Sequence, residues 1–145
     1  MLDHPRGPAL LDAVARLLRE TLIPQLPPGA VFQARVAANA VDLAAREMRQ
    51  ASDAEAQARG RLQSLLDQDL DVNGDLATLE AELAARLRRG DFATDHSGLQ
   101  QHLWATTLAK LAIDQPSYAP YRRTLEQLEQ RAGGATDPLQ HHPKE

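Results

Sequence analysis

The stretch DLDVNGDLATLE at positions 69–80 satisfies every specified position of the calcium-loop pattern D-x-[DN]-x-[DN]-G-x5-E. Asp69, Asp71 and Asn73 would present oxygens from loop positions one, three and five. Gly74 would make the sharp turn, and Glu80 would close the site bidentately from position twelve. The same residues admit a plainer reading. Asp71, Asn73 and Asp75 are good loop and N-cap residues, and acids are favoured beside the positive end of the helix marked by Leu76, Leu79, Leu83 and Leu87. Two features favour the turn over the metal site: the leucine stripe starts where a calcium loop is still extended, and no second loop is present to pair with this one.

A second kind of chemistry comes from polar residues placed among apolar ones. In FQARVAANAVDLAARE, residues 32–47, a turn of roughly 100° per residue puts Phe32, Val36, Ala40 and Leu43 on one face, with Asn39 inside it and Arg35 and Arg46 at its edge. In HLWATTLAKLAIDQPSY, residues 102–118, Asp114 falls between Leu103 and Leu111 on the helix wheel, with Lys110 one turn earlier. A buried amide or carboxylate persists only when bonded or paired. The expectation is a buried network joining Asn39 and Arg35 with Asp114 and Lys110. Either it fixes how two helices dock, or it lines a groove for a partner or an acyl-CoA-like ligand.

The remaining candidates are thin. His96 and His102 lack the i, i+4 spacing of a zinc helix, and His141 and His142 fall in a terminal tail, so solvated histidines are expected. No serine sits in a nucleophile elbow and no glycine-rich phosphate loop is present. Neither an active site nor a cofactor is expected.

The elements that must carry these residues are helices. The chain has 145 residues, enough for one core and one domain, and its aromatic content of 3% with many Leu and Ala favours packed helices over a sheet. The expected fold is all-α, a single-domain bundle of five to six helices with short loops over residues 1–131, followed by a flexible tail over 132–145. Helix one runs from Pro8 to about Pro24, and PQLPPGA at 24–30 is a connector. Helix two covers Val31 to Gln50. Ser52 with Glu55 reads as a capping box opening helix three over residues 53–67. The Leu76 helix ends at Arg88, Arg89 and Gly90, where cations and a left-handed cap belong. Asp95 or Ser97 opens the next helix, stopped by Pro116. A last helix from Tyr118 to Arg131, with a thin Leu125 and Leu128 face, packs peripherally.

Net charge is −4, with 16 basic and 20 acidic residues interspersed, so no basic stripe is available for nucleic acid. Cysteine is absent, which excludes disulfides and thiolate chemistry. The N-terminus does not read as a signal peptide, and no apolar run reaches the roughly 18 residues of a membrane span. The expected location is cytoplasmic.

FQARVAANAVDLAARE, GDLATLEAELAARLRRG and LAKLAIDQPSYA together resemble blocks of a bacterial family of small helical domains of unknown function, a likeness covering residues 5–119. Its members are typically encoded beside, or fused to, kinases of the aminoglycoside-phosphotransferase type and acyl-CoA dehydrogenases. One branch resembles the small subunit of a 4-hydroxyacyl-CoA kinase. The resemblance implies a non-catalytic accessory subunit whose partner kinase would hold ATP and metal. The positions it carries over are Arg35, Asn39, Arg46, Glu47, Lys110, Asp114 and Tyr118. The alternatives are a free-standing interaction bundle that self-associates and, further off, a single-loop calcium-binding protein.

Overall fold

A break in the middle of the longest apolar-patterned region would need a residue that stops a helix, and Gln50-Ala51-Ser52-Asp53 contains neither Pro nor Gly. In the computed structural model, which describes residues 6–66 and 74–133, the helix runs straight through this point. The elements are α1 (Gly7–Leu17), α2 (Pro28–Leu66), α3 (Leu76–Arg89), α4 (Ser97–Asp114) and α5 (Ala119–Gly133). The described residues are all-α, with five α-helices and no strand. The two helices expected over 31–50 and 53–67 are therefore one, and Ser52 and Glu55 lie in its interior instead of at a cap. A capping box satisfies free N–H groups where a helix starts, but it does not itself stop one that is already running.

α1 continues through a π turn (Leu18–Leu22) and a 3-10 turn (Ile23–Gln25) before Leu26 extends the chain. Pro28 then sits at the first helical position of α2, where its missing N–H costs nothing. α1 returns along the N-terminal half of α2, and the buried residues of this pair are alanines: Ala15 in α1, Ala38 and Ala45 in α2. The hairpin is bridged near both ends, by Arg49 to Asp12 and by Arg19 to Asp42 at 2.6 Å. Exposed pairs of this sort contribute at most about 1 kcal/mol each.

The leucine core lies at the other end. Leu62 and Leu66 of α2 meet Leu79 and Leu83 of α3 and Leu99 of α4, with Leu65, Leu76 and Phe92 packed around them. Each such side chain contributes about 2 kcal/mol through burial, so this cluster outweighs the bridges. α5 carries one buried residue, Tyr121, which fits a peripheral helix; it extends two residues past the expected end at Arg131.

The helix ends show why the chain stops where it does. Asp75 caps α3, its carboxylate accepting from the Thr78 N–H at 2.8 Å. At the other end Gly90 adopts φ 78°, a left-handed conformation that a β-carbon disfavours, and Arg86, Arg88 and Arg89 occupy the negative end of the dipole. The cap of α4 is His96, not Asp95 or Ser97. Its Nδ1 accepts from the Leu99 N–H at 3.2 Å, while its ring stands edge-on to Phe92 with centroids 5.1 Å apart.

Hydrogen bonding to Thr78, aided by the charge of Arg59, holds the Asp75 carboxyl below its ordinary value of 3.8. A pKa depressed in the folded state adds stability above the unfolded-state value and loses it as pH falls through the lower folded value. Asp75→Ala is expected to lower the urea midpoint at neutral pH and to converge with the parent protein in strong acid. A constant difference down to strong acid would contradict this cap.

Candidate functional site

The residues of α2 most deeply buried against α1 are small, and several larger apolar side chains face outward. Phe32 is 75% exposed, and Val36 and Leu43 are also exposed. The stripe expected to be core is thus surface, and the buried one is Ala38 and Ala45. Asn39 sits on the exposed side, where its Oδ1 accepts from Arg19 Nη2 at 2.9 Å. The buried network expected between Asn39, Arg35, Asp114 and Lys110 is replaced by exposed groups: all four are at the surface. Periodicity located the bulkier apolar face of α2, whereas α1 covers the one that carries Ala38 and Ala45.

The same residues do meet along two open grooves. One, about 570 Å³, runs between α2 and the end of α4 and is bordered by Val36, Asn39, Arg46, Asp114 and Tyr118. The other, about 450 Å³, continues along α2 and is bordered by Glu47, Arg61, Glu80, Lys110 and Asp114, over a floor that includes Ala54 and Ala58. Leu43 and Asp114 belong to both, so the grooves adjoin. Six of the seven positions singled out in the sequence border them, and Arg35 does not. The surface is mixed: aliphatic side chains in the middle, with Arg46, Glu47, Lys110 and Asp114 around them. Such an arrangement can seat an amphipathic partner surface.

Arg46 does a second job. Its Nε donates to the Ile113 carbonyl at 2.6 Å, satisfying one of the carbonyls left free in the last turn of α4. That bond ties α2 to the end of α4 and so fixes the floor between the grooves. A charge-assisted bond of this kind contributes about 1.5–3 kcal/mol.

The calcium reading can be tested at its C-terminal half only, because Asp69, Asp71 and Asn73 lie outside the described residues. A calcium loop uses the carbonyl of its seventh residue as a ligand. Here that carbonyl, on Asp75, accepts the Leu79 N–H at 3.2 Å, and the Asp75 side chain is engaged by Thr78. Glu80 borders the α2–α4 groove, and its charge acts on His102. Among the described residues no group of three His, Cys, Asp or Glu could hold a metal ion.

Two residues here were not anticipated. His102, expected to be solvated, is 5% exposed, and Arg61 is half-buried beneath α4, with Nη2 donating to Thr106 Oγ1 at 3.4 Å. A signal for both existed: Leu99, His102, Thr106, Ala109 and Ile113 recur at alternating three- and four-residue steps, as do Ala54, Ala58, Arg61 and Leu65. His141 and His142 lie outside the described residues.

The architecture defines a class: an all-helical domain strung on one long helix, with an open mixed-polarity face. Residues 24–118, from the connector before α2 through Tyr118, match the domain of unknown function DUF6285, and the chain belongs to that family. No match was found among curated proteins or solved structures. No described helix is long and apolar enough to cross a membrane.

Arg46→Ala is expected to destabilise the protein by about 1.5–3 kcal/mol in urea unfolding and to speed amide exchange at the end of α4. Asn39→Leu, which removes the exposed bond from Arg19, should cost no more than about 1 kcal/mol. Adding calcium at millimolar concentration should leave the thermal midpoint unchanged, whereas a site engaging the folded state would raise it.

Proposed function

We propose that this chain is a non-catalytic accessory subunit that docks through the Val36–Leu43–Tyr118 face onto a partner enzyme, a phosphotransferase-type kinase acting on a hydroxyacyl-CoA. The observation that carries the docking role is the inversion of α2: alanines inside, and Phe32, Val36 and Leu43 outside, with Tyr118 exposed across the groove. Large apolar groups gathered in one place and rimmed by charge are what an interface offers before it is covered. The kind of partner is supplied by the resemblance of FQARVAANAVDLAARE, GDLATLEAELAARLRRG and LAKLAIDQPSYA to domains encoded beside such kinases. Six of the positions carried over by that resemblance border the two grooves. In this role the kinase supplies nucleotide and metal chemistry, and this chain stabilises it or completes its acyl-CoA site.

The test is co-purification with the neighbouring phosphotransferase and assay of its activity on a hydroxyacyl-CoA, with and without this chain. The parent protein should be retained and should raise activity. Val36→Glu should keep its helical content and thermal midpoint but weaken retention by roughly tenfold or more, because a carboxylate pressed into an apolar contact costs at least about 1.4 kcal/mol. Absence of both retention and activation would remove the kinase reading. Self-association abolished by the same substitution would instead make this face the contact of a free-standing homo-oligomer.

A further inference from the structure

A third groove, about 750 Å³, opens between the C-terminal half of α2 and the first turns of α4. Its character differs from the docking face. Its polar side chains are Gln57, Arg61 and Ser64 from α2 and His96, Gln101 and His102 from α4, and no carboxylate is among its lining residues. In a chain of net charge −4 this is a local reversal of sign. His96 and Gly98 place the start of α4, the positive end of its dipole, at the groove wall.

Two groups there are left without partners among the described residues: His102 Nδ1, on a side chain 5% exposed, and Arg61 Nε. A buried polar atom left unbonded costs free energy, and such atoms in a native fold call for something that bonds them. Burial, together with the nearby charge of Arg61, pushes the His102 imidazole below its ordinary pKa, while Glu80 from α3 acts the other way.

Gly60 is the third observation. It lies in the interior of α2, where glycine costs about 1 kcal/mol relative to alanine. A β-carbon on it would meet nothing within 4 Å, and it is not a positive-φ residue. No packing or backbone requirement accounts for it, yet it forms part of the groove wall. Gly98, on the opposite wall, is different: a β-carbon there would meet Leu65 at 3.3 Å.

We propose that this groove is a binding site for the oxyanion group, phosphate or carboxylate, of a small metabolite, held by Arg61 and His102 and admitted by the missing side chain at Gly60. The site shares Arg61 with the groove bordered by Glu47 and Lys110, but it opens on the other side of that residue's helix neighbours and does not rest on the partner reading. The open groove leaves room beside the oxyanion for the rest of such a molecule.

The experiment is a titration of the full chain with inorganic phosphate and, separately, with acetate, at ionic strength matched by sodium chloride. Amide and imidazole NMR shifts are followed together with thermal unfolding. The effective anion should shift signals of Ser97, Gly98 and His102, raise the thermal midpoint and raise the His102 pKa. A response to phosphate assigns a phosphomonoester ligand, and a response to acetate assigns a carboxylate. Arg61→Gln should weaken the response at least tenfold. Gly60→Ala should raise the midpoint of the free protein while weakening the anion response, a combination that a purely structural glycine would not give. No groove-localised shift with either anion, or a response undiminished in both variants, would overturn the assignment.

Discussion

The continuity of α2 is the constraint on which the other features depend. Its 39 residues extend about 58 Å along one axis, and two unrelated packing problems are solved along that length. α1 lies against the first half, α3 lies against the second, and α4 runs from the second half back to Arg46. The groove bordered by Glu47 and Lys110 begins at Leu43 and ends at Arg61, so it crosses the point at which a break was expected. A chain turn at Ser52 would divide that surface into two that need not align. With no Pro or Gly between Gln50 and Glu55 to stop the helix, the two halves stay in one frame.

The two halves are held by different physics. At the leucine end, side chains from three helices converge and exclude water, and the free energy comes from area removed from solvent. At the hairpin end the buried side chains are methyl groups, which bring backbones close but remove little surface. Orientation there depends on directional contacts: Arg49 to the Pro8 carbonyl and to Asp12, and Arg19 to Asn39 and Asp42. Phe32, Val36 and Leu43, which could have supplied a core at this end, are turned to the surface.

Much of the fold was legible in the sequence where one local signal had one meaning. Leu76, Leu79, Leu83 and Leu87, with Arg88, Arg89 and Gly90 after them, gave the extent of α3 because a stripe and a left-handed cap agree. The site was harder to read, for reasons that differ by residue. Asn39 looked internal because Phe32, Val36 and Leu43 are the bulkier apolar set, while the residues that meet α1 are alanines, which sequence reading weights lightly. His102 looked external because it is polar and has no zinc-like neighbour, although it falls on the side of α4 that faces α2. Grouping Asn39 with Asp114 by their odd placement did bring together residues that share a groove, though through exposure instead of burial.

The placement of the leucine cluster has a further consequence for how the chain comes to be folded. Its members are drawn from Leu62 to Leu99, so the contacts that reward chain closure are supplied by the middle of the sequence. α1 and the first half of α2 leave the ribosome before any of that cluster exists. The portion synthesised first is thus a two-helix hairpin whose fully buried residues are alanines and whose outer side carries Phe32 and Val36. Until Leu99 has emerged, this leading segment has only its own hairpin contacts and its two ion pairs, and the leucine cluster is completed after it.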